Sequence, residues 1–136
     1  MSVELPAQAP LVNAETQPFW DATAESRLVL PRCDDCGFFI WYPRLLCPSC
    51  RGRSVTWTEC SGVGTVYSYT VVRKGQGRWR DAAPYVHAYV ELDEGPRLLT
   101  NIVECDPDTV HIGQIVELAW ADTGAGSALP RFRPQR

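Results

Sequence analysis

Cys33-Asp34-Asp35-Cys36 and Cys47-Pro48-Ser49-Cys50 are two CxxC pairs with ten residues between them. Each pair can place two thiolates on one tight turn. Two such turns facing each other form a tetrahedral cage of four sulfurs, the closed geometry that Zn²⁺ accepts at about 2.3 Å per bond. Gly37 follows the first pair and Gly52 lies one residue past the second, where knuckle turns often need a positive φ. Two disulfides or four free thiols are the competing readings, and iron is the competing metal. Spacing and symmetry favour zinc. A closed site of this kind supports a fold and performs no chemistry.

Working outward, the preceding chain reads as helical over 15–28, with Phe19, Trp20, Ala22 and Leu28 on one stripe, Thr16 as cap and Pro18 in the first turn. Residues 27–32 read as a strand entering the first knuckle. The aromatic stretch 38–43 reads as a strand between the knuckles, its role to cover the cage. Beyond Gly52 the chain is β throughout. Strands are expected at 55–59, 65–72, 85–92, 98–105, 115–120 and 128–132. Gly62 and Gly64 mark a bulge or bend, 75–84 is a loop and 93–96 a turn. Asp106 caps a helical turn opened by Pro107. In 85–92, Val86, Ala88, Val90 and Leu92 share one face and Tyr85, His87, Tyr89 and Glu91 the other. This order predicts a mostly β chain ending in a closed five-stranded Greek-key barrel of the OB type, with a six-stranded sandwich as the alternative. The expected units are a helical segment over 1–30, a zinc ribbon over 31–53 and an OB-fold domain over 54–136.

The chain has 136 residues and is 45% hydrophobic, enough for a small globular core. No run of about 18 apolar residues exists to span a membrane, and the start has no secretory pattern. Cysteines in metal spacing, with Cys60 and Cys105 isolated, suit a reducing compartment, so the expected location is the cytoplasm. Net charge is −3, spread as −3 over 1–30, +2 over 31–53, +2 over 54–83, −7 over 84–125 and +3 over 126–136. The cations are local: Arg73, Lys74, Arg78 and Arg80 in one loop, and Arg131, Arg133 and Arg136 at the end. That distribution argues against a nucleic-acid backbone as partner, which favours a basic face.

No phosphate loop, dinucleotide fingerprint or serine-hydrolase elbow is present. Of the two histidines, His87 beside its tyrosines is a candidate general base for which the structural reading is favoured, and His111 reads as a surface residue; no nucleophile–base–orienter set can be assembled. Cys60 and Cys105 read as small core residues. The chain therefore reads as a binding or accessory protein without catalytic residues of its own.

Several segments in fixed order carry a family resemblance. They are Gln17-Pro18-Phe19-Trp20, Leu28-Val29-Leu30-Pro31-Arg32-Cys33, Tyr42-Pro43-Arg44, and Gly64-Thr65-Val66-Tyr67-Ser68-Tyr69-Thr70-Val71-Val72. Val90-Glu91-Leu92-Asp93-Glu94-Gly95, Leu98-Leu99-Thr100-Asn101-Ile102-Val103, Ile112-Gly113 and Leu129-Pro130-Arg131-Phe132-Arg133-Pro134 complete the set. The chain resembles the zinc-ribbon/OB-fold proteins catalogued as domain of unknown function thirty-five. One departure is Arg51, where many ribbons have Gly; Gly52 is expected to take over that turn.

The resemblance implies a helical segment, a rubredoxin-like ribbon bound to zinc through Cys33, Cys36, Cys47 and Cys50, and an OB-fold. It also implies a role beside thiolase-superfamily enzymes. These include lipid-transfer-protein-like thiolases, retro-aldolases of steroid side-chain breakdown, and assemblies with a hydroxymethylglutaryl-CoA synthase. Some members are fused to a hydratase. The partner is implied to hold the catalytic residues, and the small subunit to help house acyl-CoA. The loop Arg73, Lys74, Arg78, Trp79 and Arg80 has cations and an aromatic that suit coenzyme A. An exposed aromatic surface of Phe38, Phe39, Trp41, Tyr42, Tyr85, His87 and Tyr89 suits an obligate partner in a two-plus-two heterotetramer. A single-stranded nucleic-acid binder and a stand-alone acyl-CoA-binding protein are the alternatives.

Overall fold

The computed structural model describes residues 4–136; residues 1–3, the start of the expected N-terminal segment, lie outside the described residues. One short helix, α1 (Gln17–Thr23), precedes a two-stranded antiparallel sheet of β1 (Val29–Cys33) and β2 (Val55–Glu59). Five further strands close a barrel in the order β3-β4-β5-β7-β6. They are β3 (Val63–Val72), β4 (Tyr85–Leu92), β5 (Arg97–Ile102), β6 (Ile115–Asp122) and β7 (Ala128–Pro134). The barrel agrees with the expected OB architecture, and closure excludes the six-stranded sandwich. The strand over 55–59 pairs with β1 in the ribbon sheet, from Val29↔Glu59 to Cys33↔Val55, and takes no part in the barrel.

Helix α1 is shorter than the apolar stripe predicts. Ser26 adopts a left-handed φ of 59°, the Ser26 amide bonds Thr23 O, and the Arg27 amide returns to Ala22 O at 3.0 Å. These two bonds form a Schellman closure that stops the helix before Leu28. Thr16 occupies the cap position, but its hydroxyl does not cap the helix. It accepts from the Asn13 amide at 3.1 Å while Asn13 Oδ1 accepts from the Thr16 amide, a reciprocal pair that fixes the approach instead. The helix buries Phe19, Trp20, Ala22 and Thr23. Thr23 Oγ1 accepts from the Ala128 amide at 3.0 Å, pinning α1 to β7.

The expected strand over 38–43 does not form. Its only ladder contact is the isolated bridge Arg32↔Phe39, beside which the Ile40 amide donates to Pro31 O. Beyond Ile40 the aromatic side chains engage the helix. Trp41 lies edge-on to Phe19 at 5.4 Å, and the Trp20 indole N–H donates to Tyr42 Oη at 2.8 Å. Ile40, joined by half-buried Val55, packs with Cys33 and Cys47 over the cage, while Phe39 and Trp41 pack against the main core.

The barrel core holds Val66, Val86, Val90, Leu92, Leu98, Val116 and Phe132. Gly64 and the bulge between Val66 and Ser68 bend β3 so that it pairs with both β4 and β6. Thr100 Oγ1 donates to Pro130 O at 2.7 Å and the Asn101 amide to Val86 O at 2.8 Å, so both buried polar side chains are bonded at the β5 seam. Between β5 and β6 the expected turn forms as a 3₁₀ helix (Pro107–Thr109), and the Asp106 carboxylate accepts from the Asp108 amide. The loop after β3 contains a second 3₁₀ helix (Gly77–Ala82), which composition alone did not indicate.

Candidate functional site

The two knuckles bring Cys33, Cys36, Cys47 and Cys50 together with all four sulfurs within 4.8 Å of one another. Cys33 Sγ lies 3.5 Å from Cys50 Sγ, and Cys36 Sγ 3.6 Å from Cys47 Sγ. A tetrahedron with metal–sulfur bonds of about 2.3 Å has edges of about 3.8 Å. The cage fits that ion, and the separations are far beyond the ~2.05 Å of a disulfide. Each knuckle closes through its backbone: the Gly37 amide donates to Cys33 O at 2.9 Å and the Arg51 amide to Cys47 O at 2.8 Å.

The second knuckle corrects one expectation. Arg51 itself takes the left-handed conformation, with φ 65°. Gly52 has a different task. A Cβ there would stand 2.6 Å from Asp35 Oδ2 and 3.2 Å from the sulfurs of both Cys33 and Cys50. It is a space requirement beside the cage, and the Gly52 amide points at Cys50 Sγ at 3.4 Å.

Burial pushes the Cys47 thiol up, but the Cys50 and Ser49 amides and the neighbouring thiols outweigh it and hold it at about 7. The Gly52 amide lowers Cys50, yet Cys33 and Cys36 raise it to about 12. The folded knuckle thus favours the Cys47 thiolate, a contribution complete above the ordinary thiol range and lost as pH falls through about 7. Metal binding must also displace thiol protons. Zinc affinity measured by chelator competition should therefore fall steeply as pH is lowered; an affinity independent of pH between about 8 and 5 would contradict thiolate ligation.

The basic loop does not act as one cluster. Arg73 is paired with Asp108 at 2.5 Å, both side chains exposed. Lys74 and Arg80 border a depression together with Arg73, Gly75, Gln76 and Ala83. Arg78 and Trp79 line a separate groove, and Trp79 packs on Tyr85 at 4.8 Å between ring centroids. The terminal cations are mostly engaged. Arg133 pairs with Glu117 at 2.9 Å, Arg136 pairs with Glu104 at 2.9 Å, and Arg131 is buried.

Of the expected aromatic surface, Phe38, Tyr42 and Tyr89 are exposed and Phe39 and Trp41 half-buried. Tyr85 is a correction: it is 9% exposed, because the 3₁₀ turn folds Trp79 over it. His87 remains exposed beside them. The sequence reading missed Leu99, 60% exposed and directly opposite Tyr89 in the hairpin register. It also missed Leu45 and Leu46 at the ribbon tip and Tyr67, whose ring lies 3.9 Å from the Arg97 guanidinium. The hairpin register, read off its turn, was the available signal for Leu99.

No acid–base constellation assembles among the described residues. His111 Nδ1 contacts Thr109 O. Burial, with Glu94 and Glu59 nearby, pushes the Cys60 thiol up to about 12, and burial also raises Cys105. Cys60 lies in the core as expected, while Cys105 is half-buried against it. No helix among the described residues is long and apolar enough to cross a membrane.

Comparison with known proteins follows the same division. Residues 20–56 match the family described as "ChsH2, rubredoxin-like zinc ribbon domain", and residues 57–121 "ChsH2, C-terminal OB-fold domain". A "DUF35 domain-containing scaffold protein" of Methanothermobacter thermautotrophicus is 40% identical over 90 residues, 65% of this chain and 68% of that protein. A "Probable enoyl-CoA hydratase alpha subunit" of Thermomonospora curvata is 38% identical over 125 residues, 92% of this chain; the chain spans only 39% of that relative's length. Among solved structures, a chain of the "Ltp2-ChsH2(DUF35) aldolase" superposes with a TM-score of 0.82 at 37% identity, covering 93% of this chain and 98% of that one. The zinc-ribbon match and the four-sulfur cage together support a structural zinc.

Proposed function

Because this chain belongs to the DUF35 family of zinc-ribbon/OB-fold proteins, we propose that it is the accessory subunit of a thiolase-superfamily enzyme acting on acyl-CoA, a retro-aldolase or thiolase. The observation that carries this reading is the likeness to the Ltp2-ChsH2(DUF35) aldolase over nearly that whole chain. An alpha-subunit relative named for an acyl-CoA hydratase supports the same class of substrate and the need for a second subunit. The absence of an acid–base set among the described residues agrees with chemistry housed in the partner. Steroid side chains are the proposed substrate class, and two copies of each subunit the proposed assembly.

The partner docks on exposed apolar side chains, among them Tyr89 and Leu99 on the barrel and Phe38 on the ribbon. Single exposed apolar residues are ordinary, but Tyr89 and Leu99 adjoin in register and form a continuous patch. Lys74 and Arg80 are free to meet the phosphates of acyl-CoA, whereas Arg73 must first release Asp108.

Co-expression with a thiolase-like subunit tests both parts. The two chains should elute together, and Tyr89→Ser with Leu99→Ser should separate them. Lys74→Ala with Arg80→Ala should leave co-elution intact and raise KM for acyl-CoA about fivefold at nearly unchanged kcat, since uniform binding is lost. Separate elution of the wild-type chains would refute the assembly. An unchanged KM would return the loop to the solvated surface.

A further inference from the structure

Arg131 is the least expected side chain in the molecule. It is a cation on β7, 5% exposed, and it forms no ion pair among the described residues. Its two terminal nitrogens donate to consecutive backbone carbonyls of the N-terminal arm: Nη1 to Leu5 O at 3.3 Å, and Nη2 to Pro6 O. The Trp79 ring lies 5.9 Å from its guanidinium carbon. A charge taken out of water is costly; the arm's Glu4 favours it from beyond contact distance, and the neutral carbonyls offset the rest only in part.

The same guanidinium borders a groove of about 310 Å³ where the arm and α1 meet the barrel. Trp20, Trp41 and Trp79 give it flat apolar walls, and Arg78 stands at its rim. No Asp or Glu lines it, in a chain whose acids outnumber its bases by 16 to 13. Flat apolar walls beside two guanidiniums and no carboxylate are complementary to a dianionic head on a flat apolar body. The two carbonyls of the arm sit on Arg131 in the way two oxygens of such a head would.

We infer that this groove is a binding site for an organic phosphate monoester, anchored by Arg131 and Arg78, and that residues 4–8 are a resident arm which the ligand displaces. The groove is lined by residues of this chain and shares Leu99 with the partner surface proposed above, so its test uses the uncomplexed chain. The arm sets the apparent affinity. If it covers the guanidinium nine-tenths of the time, ligand binds about tenfold more weakly than to an uncovered site.

The test uses 1-naphthyl phosphate as the probe, read by quenching of tryptophan emission in the full chain. Saturable quenching is expected below about 1 mM, tightening about tenfold when residues 2–8 are deleted and weakening about fivefold in Arg78→Gln. Arg131→Gln should abolish it. Should that variant fail to fold, the exposed Arg78→Gln and the arm deletion still decide the matter. Inorganic phosphate and 1-naphthol should each bind at least about tenfold more weakly than the ester, because each lacks one half of the recognised chemistry. The inference is overturned by any of three results: no saturable quenching in the arm-deleted chain, equal affinity for 1-naphthol, or an affinity indifferent to Arg78→Gln. None of these results bears on partner assembly, which is read separately by co-elution.

Discussion

Cys47→Ser should strip the ribbon of its metal. Cys47 is fully buried, packs with Cys33 and Ile40, and supplies one of four sulfurs to a cage that organises a segment with very little other core. Structural zinc in small domains is worth about 10–16 kcal/mol of apparent binding energy, which is also folding energy. Losing one of four ligands should cost on the order of 3 kcal/mol, or about a hundredfold in zinc affinity. After dialysis against a competing chelator, elemental analysis should fall from about one zinc per chain in the wild type to substoichiometric metal in the variant. Hydrogen exchange should lose protection at Ile40 and Cys33, whose amides bond Pro31 O and Phe38 O, while β4 and β5 keep theirs. Stable iron with visible absorbance in the wild-type chain would overturn the choice of zinc, and full zinc in Cys47→Ser would overturn the ligand set.

Gly64→Ala should damage the barrel as severely as Cys47→Ser damages the ribbon. Gly64 lies where β3 is held between two neighbours, opposite Leu92 on β4 and Val116 on β6. An added Cβ would stand 2.6 Å from both Glu91 O and Val90 Cγ1. The first of these is ladder backbone, which cannot retreat without opening the β3–β4 pairing. Overpacking of this kind costs about 3 kcal/mol. For a barrel of this size that is a fall of roughly 10 °C or more in Tm. Thermal unfolding with zinc content held constant checks it. A Tm within about 2 °C of wild type would show that β3 and β4 have slack at this position.

These two sites also show what the sequence makes legible. Spacing announces the cage because two CxxC turns have few other uses, and the ligand set follows without knowledge of the fold. The barrel strands are legible where alternation is clean, as in β4, whose buried Val86, Ala88, Val90 and Leu92 follow the expected face. The pattern fails where tertiary contacts outweigh local preference. Residues 38–43 have strand composition, yet Trp41 and Tyr42 leave the ladder to reach Phe19 and Trp20. The stripe continuing to Leu28 suggests more helix than forms, because a left-handed Ser26 turns the chain into β1. Glycine roles are legible only as a requirement for glycine; Gly52 serves space beside sulfur and Arg51 takes the turn.

The basic loop shows a second kind of limit. Five residues within eight positions read as one cluster, but Arg73, Lys74 and Arg80 border one depression while Arg78 and Trp79 line a separate groove, the 3₁₀ turn over Gly77–Ala82 carrying Arg78, Trp79 and Arg80. Sequence proximity cannot report that division. Nor can it report that Arg131, within the expected last strand, is buried under the arm.

The central claim is that this chain works as part of an acyl-CoA enzyme whose catalytic residues lie on another subunit. Native mass measurement of the chain purified with a thiolase-like protein tests it most directly. The expected result is a complex with equal numbers of both chains, and carbon–carbon cleavage of acyl-CoA that needs both. A zinc-loaded monomer that passes the same purification without the thiolase-like chain, or full activity of that chain alone, would contradict the claim.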